Sequence, residues 1–285
     1  MRAADAGKLI GMTVAFARLD LETAVHEIAN AGFSAVEVHG THLGPGLPGV
    51  PVSERHAEAV GELIRSRGLV VSSLNVVDDA TFDPHGGAEA RRRTVEGLAA
   101  HLRLAAAMGA PRVLTFDGRA AADDTLHAAE RLCDVVAGAL ELSGLSDPPD
   151  VSVELHPFTF ALAHNAVAKL SSALRSAEAG ICLDFCHFGV ALGPSFLTAL
   201  TDDVVAAVNH VHLADSDCVS SELHLPPGVG VLDLEAIVDR LSGRHLAIGW
   251  DLFGWPSPRA AVRDYRGRYA ALVARHARAV SRAAP

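Results

Sequence analysis

Glu154 and His156 stand at the downstream end of an alternating apolar run, VSVELHP (151–157), immediately before a proline. Three later segments repeat the design: GICLDFCH (180–187) closes on Asp184 and His187, VNHVHLAD (208–215) on His210, His212 and Asp215, and LAIGWDLF (246–253) on Asp251. Carboxylates and imidazoles hold cations and move protons, and a strand that carries one where it runs out presents it to whatever lies beyond. Glu154, Asp184, His212 and Asp251 together make an oxygen-rich donor set. It suits Mn²⁺, Mg²⁺ or Co²⁺ better than a thiol-preferring metal. Cys182 and Cys186 flank Asp184 and leave a zinc–thiolate alternative open. Burying three carboxylates without a cation is costly, so the residues imply the ion. Taken singly, a carboxylate at a strand end is more often a loop cap or a helix partner than a ligand; the recurrence carries the inference.

Bringing such distant residues together requires a closed architecture. Eight β-like runs alternate with amphipathic stretches: 9–16, 35–40, 70–77, 112–118, 151–157, 180–187, 208–215 and 246–253. LDLETAVHEIANAG opens on Asp20 as a helix N-cap and ends at Gly32; Ser53 caps a second helix, and an Arg- and Ala-rich helix over about 258–282 closes the chain. Eight strand–helix units without a linker predict a single α/β domain over 1–285, a (β/α)8 TIM barrel. An open doubly wound sheet would want a Gly-rich phosphate turn, and neither GxGxxG nor GxxxxGK[ST] is present. In the barrel, the C-terminal strand ends share one mouth, which GPGLPGVP (44–51) is expected to overhang as a long loop.

Other residues fall near that mouth. His187, three positions past Asp184, can contact a substrate oxygen or orient a ligand; His156, Glu37 and His39 are lesser candidates, and one of His210 and His212 can be a packed core histidine. Aromatics make up only 5% of the chain, yet Phe16, Phe116, Phe158, Phe160, Phe185, Phe188, Phe253 and Trp255 crowd the strand ends, as the wall of a small-molecule pocket would. A formal net charge of −10 opposes broad binding to nucleic acid or an anionic membrane. No apolar run approaches the roughly 20 residues of a membrane span. The first residues lack a secretory layout and the four cysteines form no CxxC, so a cytoplasmic protein with reduced thiols is expected.

The segments LDFCH (183–187), HVHLADSD (210–217) and HLPPGVGVLDL (224–234) resemble, in order and spacing, the Asp-x-x-His, His-x-His and Pro-Gly-x-Gly segments of the sugar phosphate isomerase/epimerase superfamily, the xylose isomerase-like barrels. AGFSAVEVHG (31–40) and LAAAMGAPRVLTFDG (104–118) are similar to its second strand and to its third helix and fourth strand, so the likeness spans essentially the whole chain. The resemblance implies Glu154, Asp184 and His212 as metal ligands, His187 as a substrate contact and His224 as a basic group beside the substrate. The family's strand-eight glutamate is here Asp251, one methylene shorter. The activity implied is proton abstraction alpha to a carbonyl, giving an isomerase or epimerase of a keto-sugar or cyclitol with Glu154 and Asp251 as acid/base groups. If Asp251 falls short, loss of a β-hydroxyl with His187 or another histidine as acid makes a dehydratase or related lyase. An endonuclease-type phosphodiesterase and a non-catalytic binding barrel are further alternatives. Arg119 is the nearest cation to the strand ends, so an unphosphorylated polyol or keto-sugar is expected as substrate. Relatives are often homo-oligomers, which leaves that state open here.

Overall fold

The strands close on themselves in chain order. A computed structural model describes residues 8–43, 52–76, 82–121 and 124–283, so the loop expected over the mouth at 44–51 lies outside the described residues. The strands β1 (Ile10–Met12), β2 (Ala35–His39), β3 (Val70–Asn75), β4 (Arg112–Phe116), β5 (Asp150–Glu154), β6 (Ala179–Asp184), β7 (Val208–Leu213) and β8 (Ala247–Trp250) form one parallel barrel. β1 pairs with both β2 and β8, so no edge is left open. Outside it run α1 (Leu21–Asn30), α2 (Glu54–Ser66), α3 (Ala88–Met108), α4 (Thr125–Ser143), α5 (Phe160–Ala163), α6 (Val167–Ser176), α7 (Phe185–Leu192), α8 (Asp202–Ala207), α9 (Leu234–Arg240) and α10 (Pro258–Ala283). This is the expected α/β (β/α)8 barrel. No helix among the described residues is long and apolar enough to cross a membrane.

Local chemistry sets the element ends. Asp20 accepts from the Thr23 backbone N–H and starts α1, and Gly32 leaves the helix at φ 78°; Ser53 accepts from the His56 N–H and starts α2. Strand side chains alternate between faces, so in β7 Val211 and Leu213 pack outward while His210 and His212 point into the barrel, where both reach Glu37 of β2. The interior is therefore polar along much of its length, with a small plug of Ile10, Ala35 and Ala247.

Several strands are shorter than their alternation suggests. The run 9–16 stops at Met12, because Thr13–Phe16 wind into a 3-10 turn whose Thr13 hydroxyl accepts the His39 N–H at 2.8 Å. The run 180–187 stops at Asp184, whose side chain caps α7. The run 246–253 stops at Trp250, and Asp251 turns the chain by accepting the Phe253 N–H at 2.7 Å. At the end of β6 and just after β8, the residue that ends the strand or turns the chain also carries a carboxylate of the cluster.

α10 is fastened to the barrel by Tyr269. Its fully buried hydroxyl donates to the Ile248 carbonyl at 2.5 Å and accepts from the Ile10 N–H at 3.0 Å, while its ring stacks on Trp250 at 5.1 Å. Tyr269→Phe keeps the stack but strands both backbone groups. We expect a loss of about 1–3 kcal/mol in urea unfolding, with the far-ultraviolet circular dichroism of the native state unchanged.

Candidate metal centre

Four neighbouring strands deliver the four expected donors to one place. Asp184 lies beside His212 across the β6–β7 ladder, and Glu154 and Asp251 follow at the ends of β5 and β8. One ligand atom from each of Glu154, Asp184, His212 and Asp251 falls within 4.8 Å of all the others, and all four residues are buried. His212 Nδ1 is the hub: it lies 3.0 Å from Glu154 Oε1, 3.7 Å from Asp184 Oδ2 and 3.8 Å from Asp251 Oδ2. Asp184 divides its two oxygens. Oδ1 accepts the His187 N–H at 2.9 Å, whereas Oδ2 is buried with no hydrogen-bond partner and faces the cluster. A buried carboxylate oxygen without a donor, opposite two more carboxylates, fits a bound cation. Cys182 sits lower, among His210 and His212, while the Cys186 thiol is turned to Ser216, so no donor group among the described residues contains both thiols.

Glu37 orients this hub from inside the barrel. Four donors converge on its carboxylate: Ser73 and His210 on Oε2 at 2.6 and 2.9 Å, Asn75 and His212 on Oε1 at 3.2 and 3.1 Å. A carboxylate only accepts, so His212 must present Nε2–H to it, and Nδ1 is the nitrogen left for the cluster. The same reasoning continues downward. Arg112 only donates, and it meets His210 Nδ1 at 3.4 Å, so His210 carries its proton on Nε2, toward Glu37. Burial outweighs the Glu37 contact and pushes His210 down to about 4, which keeps it neutral in that tautomer.

Protons offset part of the negative charge in the cluster. Burial favours neutral His212, but Cys182, Glu154 and Glu37 around it reverse this and hold it protonated well above the usual imidazole range. Burial likewise acts against the Glu154 carboxylate, and the charge of His212 more than compensates, leaving it well below the usual range. His224 behaves as His212 does, overcoming its burial through Asp251, 2.9 Å away, and Asp184. Burial pushes Asp184 up to about 6, and burial with the neighbouring His224 charge pushes His187 down to about 3. Two imidazolium protons thus stand where a divalent cation would carry the same charge.

Around the cluster opens a cavity of about 340 Å³, lined by Glu154, His156, His187, Glu222, His224 and Asp251, with His39, Asn75, Met12 and Val14 opposite. His187 Nε2 lies 3.7 Å from Glu154 Oε1, and its ring packs 4.3 Å from that of His156, whose two nitrogens have no partner. His224 arrives on a loop pinned by Asp215, which accepts from Gly228, Ser216 and Leu232, while the His224 N–H donates to the Phe253 carbonyl. Of the aromatics expected here, Phe158 and Phe253 line the cavity. Phe116 is buried behind the edge of His156, Phe160, Phe185 and Phe188 are fully buried in the core, and Phe16 and Trp255 lie in an adjacent groove. Arg119 stacks on Phe158, 5.2 Å from its ring centre. Asn75 and Met12 carry no motif, and only the fold reveals them.

Because His212 must surrender its proton to ligate, cation binding is expected to release protons and to weaken as pH falls through the raised His212 range. Calorimetry with Mn²⁺ in buffers of different ionisation enthalpy reads this directly, and a binding heat independent of buffer contradicts it. Glu37→Gln removes the charge that selects the His212 tautomer. It is expected to weaken Mn²⁺ binding by roughly 10–100-fold and to shift the His212 ring ¹⁵N resonances in the metal-free protein.

The pattern of the family described as xylose isomerase-like TIM barrel matches residues 25–272. A search of curated protein sequences returned no match. Among solved structures, an L-ribulose 3-epimerase superposes with a TM-score of 0.71 at 15% identity, over 98% of each chain. The probable 3-DHS dehydratase AsbF of Bacillus anthracis gives 0.70 at 14% identity, over 92% of this chain and 98% of that one. Endonuclease IV of Thermus thermophilus gives 0.62 at 20% identity, over 91% and 98%. Three different activities on one architecture show that likeness at this level speaks to fold alone. With the matched pattern covering most of its length, the chain belongs to the xylose isomerase-like TIM barrel family.

Proposed function

We propose that the protein is a divalent-cation-dependent isomerase or epimerase of a keto-sugar or cyclitol. The observation that carries this reading is the convergence of Glu154, Asp184, His212 and Asp251 in one polar cavity. Glu154, Asp184, His212 and Asp251 would hold the cation, and their oxygen-rich chemistry favours Mn²⁺ or Mg²⁺. When bound, the cation supplies Lewis-acid polarisation of a carbonyl and its neighbouring hydroxyl. Glu154, ionised and buried, takes the proton from the α-carbon. Asp251 returns it, on the neighbouring carbon or the opposite face. His187 is neutral and stands beside Glu154, where it can donate to a substrate oxygen. His156, with no partner of its own, offers a second contact, and His224 faces the substrate from beside Asp251.

One observation favours a lyase as the second reading. Asp251 is already engaged, one oxygen with the Phe253 N–H and the other with His224, and its side chain is short. If it cannot reach carbon, the proton of His224 can leave with a β-hydroxyl instead, and the product is dehydrated. The phosphodiesterase reading draws on a second donor group, Asp184, His187 and His224, which shares Asp184 with the first.

The cation-loaded protein, incubated in D₂O with a panel of keto-sugars and keto-cyclitols, separates these readings by NMR. Deuterium on the α-carbon of a product that retains all its oxygens supports the isomerase or epimerase; deuterium with loss of water identifies the lyase. Metal content of about one Mn²⁺ per chain, falling in Asp251→Ala, is expected; about three zinc ions per chain and no exchange would favour phosphodiester chemistry. Glu154→Gln should slow exchange by roughly 10²–10⁴-fold. A Glu154→Gln protein that exchanges at the unaltered rate rejects Glu154 as the base.

A further inference from the structure

Phe16 and Trp255 are aromatic residues at strand ends that the metal cavity does not use. They line a second groove of about 730 Å³ that opens beside it and shares Val14 and Phe253 as a common wall. Its two sides come from opposite ends of the chain, the turn after β1 and the segment between β8 and α10. The two spaces differ in chemistry. The cavity is walled by carboxylates and histidines, whereas the groove presents Phe16, Leu19 and Trp255, is rimmed by Arg18, Arg259 and Arg263, and has no Asp or Glu among its lining residues. On a chain of formal net charge −10, an apolar groove with three arginines and no acid is a local reversal of sign. Arg259 and Arg263 hold exposed pairs with Glu27 and Asp264, which are worth little in water. Arg18 is exposed and enters no ion pair among the described residues.

The part of this apolar wall that solvent reaches gains from being covered, and arginines at the rim of an aromatic-lined groove favour a planar group that ends in a carboxylate. We propose that the groove is a substrate subsite: it receives an apolar, acid-bearing substituent, such as an aryl carboxylate, attached to the sugar or cyclitol whose reacting carbons lie at the metal centre. The sugar half of this assignment rests on the isomerase reading, while the groove's own preference does not. The substrate is then a conjugate larger than a free monosaccharide, with its polar ring in the cavity and its aryl acid across Phe253.

The chain has two tryptophans, and Trp250 is buried at 2% exposure, so Trp255 reports occupancy of the groove. The Mn²⁺-loaded protein is titrated with 4-carboxyphenyl, phenyl and methyl β-D-glucopyranosides and with benzoate, read by tryptophan fluorescence and calorimetry. The carboxyphenyl glycoside is expected to bind at least roughly tenfold tighter than the methyl glycoside. Its fluorescence response should be absent in Trp255→Phe, and its advantage over the phenyl glycoside should be lost in Arg18→Glu. Equal affinities for all three glycosides overturn the subsite and leave the sugar reading standing. A Trp255-dependent response to benzoate, with no glycoside bound, supports the groove as an aryl-acid site and rejects the sugar half. An absence of any Trp255-dependent response overturns the proposal outright.

Discussion

Four carboxylates, Glu37, Glu154, Asp184 and Asp251, lie within one end of the barrel at no more than 3% exposure. An ionised carboxylate removed from water is tolerable only if its lone pairs meet donors or a cation. The four meet this demand in three ways. Glu37 is saturated by four side-chain donors. Glu154 leans on His212. Asp184 and Asp251 each spend one oxygen on a backbone N–H and keep the other turned toward the cluster. The hydrogen bonds that end β6 and turn the chain after β8 are thus made by the same groups that form the donor cluster, and the cluster could not be rearranged without re-terminating the strands.

Much of this was legible in the sequence, for physical reasons. The barrel followed from eight alternations, and the donor set from carboxylates and a histidine recurring where alternation ends. Legibility failed where one local pattern has two structural meanings. TVAF and FCH continue the alternation of their strands but wind into helical turns: the Asp184 carboxylate caps α7, and past Met12 the Thr13 hydroxyl, rather than a backbone carbonyl, takes the His39 N–H of β2. Phe160, Phe185 and Phe188 cluster at strand ends because the first turns of α5 and α7 pack into the core there, so their crowding mixed core and pocket. Glu37 read as one acidic residue in AVEVH; its histidine partners lie 173 and 175 positions away, and nothing local marks them. The arginines of the groove were invisible for the same reason.

Membership of the family sets the scaffold and leaves the reaction to a few atoms. An epimerase, a dehydratase and an endonuclease share this architecture, so the fold does not choose among such reactions. What the strand-eight end of this chain shows is a short carboxylate, Asp251, closely paired with His224. A glutamate there would extend farther into the cavity. An aspartate held by an imidazolium makes a compact pair of opposite charges at the cavity wall.

The column from Arg112 through His210 and Glu37 to His212 runs inside the strands rather than over their ends. Every member of it is contributed by β2, β4 or β7, and none by a connecting loop. The aim of the His212 imidazole is therefore insulated from the loops that shape the mouth. Loops can lengthen, shorten or change sequence, and His212 Nδ1 stays where the interior has put it. A barrel wired in this way separates two inheritances: the placement of the buried histidine passes down through the staves, while the outline of the mouth is free to be rewritten at the rim.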